Sequence, residues 1–446
     1  MKIKNILAGA MFAGLTASAS AQTTEITITG ATAFRQATMQ AIYDAYTSVG
    51  ALGTAFNVCH DFSGNNLSQL IASNKAVFSG TFPGITGTTV IRTSFNGSTE
   101  GLNAIAGNND PTFLTTGALG TPGAVIKGST TTPTETLRPK FSFSDVYQSS
   151  SPVDNMVLNP SGASKVGIVT FCMIANEGAP ADLTNVTIQQ CRALWANGIQ
   201  PLSLFTGDPN DTDYVFATGR NDGSGTRAAY LTEWTYGVAN LVNQYIATKT
   251  GTSGTTITKI TAVPANGLGT GNTETSGVSN ASTLWGNTAV GNGGYSSSSA
   301  LRTIMGYTSA NVTVYDGATQ DALVEGANIH LITWLSSADS LNAATAGGKI
   351  LSFNGVLATP IVAAGSYLGT GFNEADFKKI ASGAYSAWSY QHLYYHGSLS
   401  GNENIWYTNM KSTWIPAGLQ TTSNGVRLGD VTVSRPDDGF PIVAPL

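Results

Sequence analysis

The run Arg220-Asn221-Asp222-Gly223-Ser224-Gly225-Thr226 puts a fixed cation, a carboxylate, two hydroxyls and two glycines into seven consecutive residues. Glycine frees the backbone to turn its N–H groups toward a small anion. Tyr230, Leu231 and Trp234 follow at helical spacing, so a helix N-terminus adds the positive end of its dipole. The chemistry these residues suit is the cradling of an oxyanion. The alternative is a Gly/Ser turn that caps a helix. Two other segments share the design. Gly30-Ala31-Thr32 and Gly97-Ser98-Thr99-Glu100-Gly101 each follow a strand pattern and precede a helical one, and Phe141-Ser142-Phe143-Ser144 delivers Asp145 to a strand end.

The elements that must position these residues read as α/β. Strands are expected at Glu25–Thr29, Thr89–Phe95 and Tyr214–Ala217, and Val166–Ile174 is the continuous apolar run of a buried strand. Phe34, Ala37, Ala41, Ile42 and Ala45 make a helical stripe from Ala33 to Tyr46, with Thr32 as its expected N-cap. Helices are also expected at Thr187–Trp195 and at Asn373–Gly383, the latter capped by Asn373. Gly107–Pro139 reads as an elaborated loop, Gly251–Gly294 as a Gly/Thr/Ser/Asn-rich stretch with loops, and Tyr385–Tyr395 as an aromatic run. Three strand–turn–helix junctions and Asp145 converge if they lie at the carboxyl ends of parallel strands, where such sheets bind ligands.

Composition narrows the classes. Only 11% of the residues are charged and the net charge is −5, against about 25% charged in an average soluble domain. With no Lys/Arg cluster to displace phosphate counterions, nucleic-acid binding is not expected. An anion site here must work through locally aimed donors. Residues 1–21 read as a signal peptide: Lys2 and Lys4, an apolar run from Ile6 to Leu15, and Ala19-Ser20-Ala21 before Gln22. The apolar run is too short for a spanning helix, so a periplasmic or secreted protein with no membrane insertion is expected. Of Cys59, Cys172 and Cys191, the last two are the candidate disulfide, three buried thiols being the alternative.

Four segments, in order, resemble the type 2 periplasmic binding proteins, and within them the phosphate-binding protein of the ABC phosphate importer. Ile28-Thr29-Gly30-Ala31-Thr32-Ala33-Phe34 is similar to that family's first phosphate loop, and Gly97–Gly101 to its Gly-Ser-Ser-Gly-Gly turn. Phe143-Ser144-Asp145 resembles its Ala-Ser-Asp segment, and Arg220–Thr226 its Arg-x-Asp-Gly-Ser-Gly-Thr loop. The resemblance implies a two-lobed α/β fold of mixed, mainly parallel sheets flanked by helices. Lobe 1 would take residues 22–165 and about 385–446, lobe 2 about 166–384, with the ligand between them. It also implies ligand contacts at the Ala33 and Phe34 backbone, with Thr32 beside them, and at Ser98, Asp145, Arg220, Ser224, Gly225 and Thr226. Arg220 offers a planar fork to two oxygens. Asp145, an acceptor only, favours an oxyanion that carries a proton. Asp222 is expected to orient Arg220. Two positions depart from the family: its first-loop threonine falls at Ala33, and Thr99-Glu100 replaces a Ser-Gly pair.

The expected function is capture of phosphate or a related oxyanion by a monomer, without chemistry, cofactor or metal, and, by the resemblance, delivery to an ABC permease. Two alternatives stand beside it. One is a secreted surface or matrix protein that uses the same fold to bind a protein or carbohydrate; the other is a phosphatase-like enzyme. His392 and His396 have a metal-compatible spacing, but their aromatic surroundings favour packing, and Cys59-His60 reads as structural. Gly347-Gly348-Lys349 lacks the rest of a P-loop.

Overall fold

A computed structural model of the chain describes residues 23–121, 123–130, 133–153, 158–159, 161–249, 255–263, 278–279, 293–317, 321–362, 364–422 and 425–444. The expected signal peptide and most of Gly251–Gly294 lie outside these residues.

Strand Thr23–Gly30 runs between Thr88–Ser94 and Phe141–Ser144, parallel to both. Parallel strands finish on the same edge of the sheet, so the turns after Gly30 and Ser94 and the residue Asp145 come to one place. Farther along the sheet, Tyr214–Ala217 is parallel to Ile329–Ser336. That pairing brings the Arg220 loop and the start of helix Ser337–Thr345 to a common edge. Parallel pairing thus positions the candidate residues, and it also occurs elsewhere, as between Thr256–Ala262 and Thr308–Tyr315. Long antiparallel strands join the two regions. Lys165–Ala175 pairs with Ile329–Ser336 on one side and Trp388–Tyr395 on the other, and Trp388–Tyr395 continues to Phe141–Ser144. The outcome is a mixed sheet of 13 strands, with helices against it. The α/β class is as expected; the "mainly parallel" character holds only locally.

Burial explains the strand pattern. Every residue of Lys165–Ala175 after Lys165 is buried, so the strand reads as a continuous apolar run rather than an alternating one. Two cores flank it. One gathers Ile28, Phe34, Tyr46, Phe143 and Trp406; the other gathers Phe171, Trp195, Tyr230, Trp234 and Trp334. A separate four-stranded sheet, Tyr245–Lys249, Thr256–Ala262, Thr308–Tyr315 and Ala322–Ala327, packs its apolar face against Phe216, Leu331 and Leu335. Helix Ile188–Asn197 is closed at its start by a capping box of Thr187 and Gln190. In helix Glu374–Ala381 the Asn373 side chain accepts from the Asp376 N–H, as expected.

Three details differ from the sequence expectations, and the packing of His392 agrees with them. Gly107–Pro139 is not a plain loop: Thr112–Leu114 pairs with Thr134–Thr136, and Lys127–Gly128 adds a strand beside Phe56–His60. Its Leu114 and Ala118 bury against Cys59, Val77 and Val90, so the segment is a layer over the sheet. Cys172 and Cys191 form no disulfide; all three cysteines are free and buried. Thr32 caps no helix, because the first helix starts at Arg35 after Phe34, without a side-chain cap. His392 lies on a strand, stacked on Tyr394 and hydrogen-bonded through Nδ1 to Ser164 Oγ at 2.8 Å. No cluster of three or more metal-ligating side chains exists among the described residues.

Candidate functional site

The second and third glycine turns meet face to face. Gly97 precedes helix Ser98–Ala106 with φ +126°, and a Cβ there would lie 2.3 Å from the Gly223 carbonyl oxygen. Only glycine satisfies both the backbone angle and the close approach. Two polar groups from the first turn of this helix reach across: the Glu100 N–H donates to Gly223 O at 3.2 Å, and Thr99 Oγ1 to Asp222 O at 2.8 Å. Opposite it, Ser224 caps helix Gly225–Glu233, its hydroxyl accepting from the Arg227 N–H at 3.3 Å. The helical turn expected from Tyr230, Leu231 and Trp234 is therefore real, and Ser224 is its cap.

Between the two helix starts lies Asp145, 1% exposed. Ser98 Oγ donates to its Oδ1 and accepts from its backbone N–H at 3.2 Å. Thr226 Oγ1 approaches Oδ2 at 3.5 Å, and Ser389 Oγ donates to the Asp145 carbonyl at 2.6 Å. Gly225 fits against this group because it lacks a side chain: a Cβ there would stand 1.7 Å from Asp145 Oδ1. Burial pushes the Asp145 pKa up, and the Ser98 hydrogen bond, its own N–H, Arg220 and Thr226 pull it partly back. Ser98, Asp145, Gly225 and Thr226 thus form one contact.

Arg220 is fully buried. Its Nε donates to Tyr295 O at 2.9 Å, one terminal nitrogen to Ser298 Oγ at 2.6 Å and the other to Ser296 O at 2.9 Å. Burial lowers its pKa to about 10, opposed by Asp339, Asp145 and Tyr230 and reinforced by Arg35. It remains a cation at neutral pH. The carboxylates that act on Arg220 include Asp339 and Asp145, and Asp222 acts on the buried Arg227. The first loop meets the second turn at Gly30, whose carbonyl accepts from the Gly97 N–H at 2.9 Å. Phe34 is a core residue stacked near Phe143, Ala33 is buried, and Thr32 is half-buried on the turn.

Sequence reasoning missed Arg35, Arg227, Ser298 and Asp339. Arg35 sits directly after the first loop. Ser298 belongs to the run Ser296-Ser297-Ser298-Ser299 ahead of Leu301, Ile304 and Met305, a hydroxyl-then-apolar pattern that announces a helix start. Helix Ser298–Met305 does begin there, capped by Ser297.

No family model matches the chain, and no curated protein matches its sequence. Solved structures resemble it. One is described as a phosphate ABC transporter substrate-binding protein with bound phosphate from Clostridium perfringens. It is 11% identical, with a TM-score of 0.42, over 91% of this chain and 99% of that one. An ABC-type phosphate transport receptor from Vibrio cholerae is 10% identical, with a TM-score of 0.41, over 87% and 93%. PstS from Borrelia burgdorferi is 10% identical, with a TM-score of 0.36, over 89% and 96%. No described helix of this chain is long and apolar enough to cross a membrane.

Proposed function

We propose that this chain binds an oxyanion, with inorganic phosphate as the leading ligand, outside the cytoplasm and without chemistry, and that it serves an ABC importer. The observation that carries this reading is the convergence of Ser98, Asp145 and Thr226 at two facing helix starts, with Arg220 acting on Asp145. Helix starts favour negative charge. Ser98 and Thr226 supply hydroxyls, Arg220 a fixed cation, and Asp145 an acceptor that a protonated oxyanion satisfies and sulfate does not. The region of residues 22–165 with about 385–446 would form one lobe, and about 166–384 the other. Ligand would enter between them, exchanging the direct Ser98–Asp145 contact for contacts to itself as the lobes close.

Calorimetry with phosphate and sulfate tests this reading. The expected outcome is phosphate binding, no sulfate binding, and a narrowed phosphate preference in Asp145→Asn. Equal binding of the two anions by the unaltered protein would contradict the role given to Asp145.

A second reading has its own observation. Thr99 and Glu100 already serve the carbonyls of Asp222 and Gly223, and the Arg220 fork serves residues 295–298. A binding-protein fold held shut by its own contacts suits a secreted protein that binds a partner through its surface. Silence toward every oxyanion in a thermal-shift screen is the outcome that favours it.

A further inference from the structure

Helix Gly225–Glu233 and the turn that follows Asp145 meet at the candidate site through Gly225, Thr226 and Asp145. Behind that contact both are gripped by one short segment near the C-terminus, residues 435–439. On the helix side, the Arg435 guanidinium pairs at 2.8 Å with Oε2 of Glu233, the last residue of the helix. Gly439, with φ +70°, lies against the Thr232 carbonyl: a Cβ there would stand 2.3 Å from that oxygen. On the turn side, the Tyr147 N–H donates to Asp438 Oδ2 at 2.7 Å, and the Tyr147 hydroxyl donates to the Arg435 carbonyl at 3.3 Å. Ser149 Oγ donates to the Asp437 carboxylate at 2.8 Å.

Arg435 is the hub of this grip. It is 3% exposed, and its guanidinium also donates to Ser386 O at 2.9 Å and lies 4.3 Å over the Trp388 ring. Breaking such a pair by halves is costly, because loss of one partner leaves the other charge buried. The segment is nonetheless separable from the sheet. The last described strand is Trp388–Tyr395. Past Val426 the chain is held by side chains and by single backbone bonds such as that from the Thr432 N–H to Ala381 O at 3.0 Å. A segment with few backbone bonds opens at a smaller free energy than the sheet it lies on. It can therefore let go of both sides of the site without unpairing a strand.

We infer that residues 435–439 are a clasp that holds helix Gly225–Glu233 against the Asp145 turn, and that its release sets how readily the candidate site opens. The clasp stands on its own contacts; its effect on a ligand rests on the proposed oxyanion function.

Native-state hydrogen exchange on the full mature chain tests it in two variants. Glu233→Gln keeps an acceptor for Arg435 and removes the charge; Gly439→Ala forces the segment off Thr232. Each should speed exchange of the Glu100 N–H, which donates to Gly223 O, and of the Arg227 N–H, which donates to Ser224 Oγ. The expected acceleration is about 10- to 100-fold, the worth of a charge-assisted hydrogen bond. Amides of the pair Lys75–Gly80 and Thr88–Ser94, whose Phe78 and Ile91 belong to the other core, should keep their rates. If Gly439→Ala fails to fold by circular dichroism, Glu233→Gln carries the test. Equal acceleration in both places marks general destabilisation and overturns the clasp, as do unchanged rates. Inorganic phosphate should leave the variants faster by a similar factor in stopped-flow displacement; unchanged release beside faster exchange overturns the link to the ligand. No phosphate binding by the unaltered protein overturns the oxyanion function, and the exchange rates still decide the clasp.

Discussion

The Ser98–Asp145–Thr226 contact and the Arg220 tether to residues 295–298 are built on opposite principles. The first is made of short hydrogen bonds and glycine close approaches, and its one carboxylate is pushed toward neutrality by burial. The second is a fully buried cation whose fork is spent on three acceptors, Tyr295 O, Ser298 Oγ and Ser296 O. Shape is decided in the first and charge in the second. A ligand that needs both must carry negative charge and offer a proton to Asp145, and hydrogen phosphate does both.

Substitutions that disable one side while sparing the other break this comparison most clearly. Arg220→Ala should have the largest effect. It removes a fully buried cation and leaves Tyr295 O, Ser296 O and Ser298 Oγ without their donor. A loss of about 3–5 kcal/mol in denaturant unfolding is expected, with phosphate binding abolished in calorimetry. Gly225→Ala should follow. Its Cβ falls on Asp145 Oδ1 and on Ser98, so the facing turns must part, with a cost of about 1–3 kcal/mol. Phosphate affinity should fall while the Arg220 tether stays intact, a separation that thermal shift and calorimetry together resolve.

A smaller effect sharpens the contrast through pH. Asp438 accepts the Tyr147 N–H at 2.7 Å, two residues beyond Asp145, and burial raises its pKa to about 7. The folded state therefore holds a proton that the unfolded chain releases near pH 4. Stability from this group is full below about pH 4 and falls as pH rises toward 7, because the folded state binds more protons across that window. Asp438→Asn keeps an acceptor for Tyr147 and removes the titration. Thermal melts from pH 4.5 to 7.5 should fall less steeply in the variant. A slope equal to that of the unaltered protein would show that Asp438 is not the group responsible.

Much of this arrangement was legible before the structure, and its limits have physical causes. The strand Tyr214–Ala217, the helix that begins near Thr187, the Asn373 cap and the turn at Gly97 are set by residues within a few positions of one another. The pairing of Thr99 with Asp222 spans 123 positions and that of Arg220 with Ser298 spans 78. No local pattern carries them. Arg220 spends its fork on the 295–298 segment, and Arg227, in the first turn of Gly225–Glu233, is a cation on which Asp222 acts. The Gly107–Pro139 layer was hidden for a related reason: its apolar content is sparse, and only contact with Cys59, Val77 and Val90 shows which of its residues are core. Cys172 and Cys191 sit on a buried strand and a buried helix face, where small apolar side chains suffice and no bridge forms.

The most direct measurement is a calorimetric titration of the mature protein with inorganic phosphate. The account predicts a single saturable site, lost in Arg220→Ala and not competed by sulfate. No heat and no thermal shift at millimolar phosphate would contradict it.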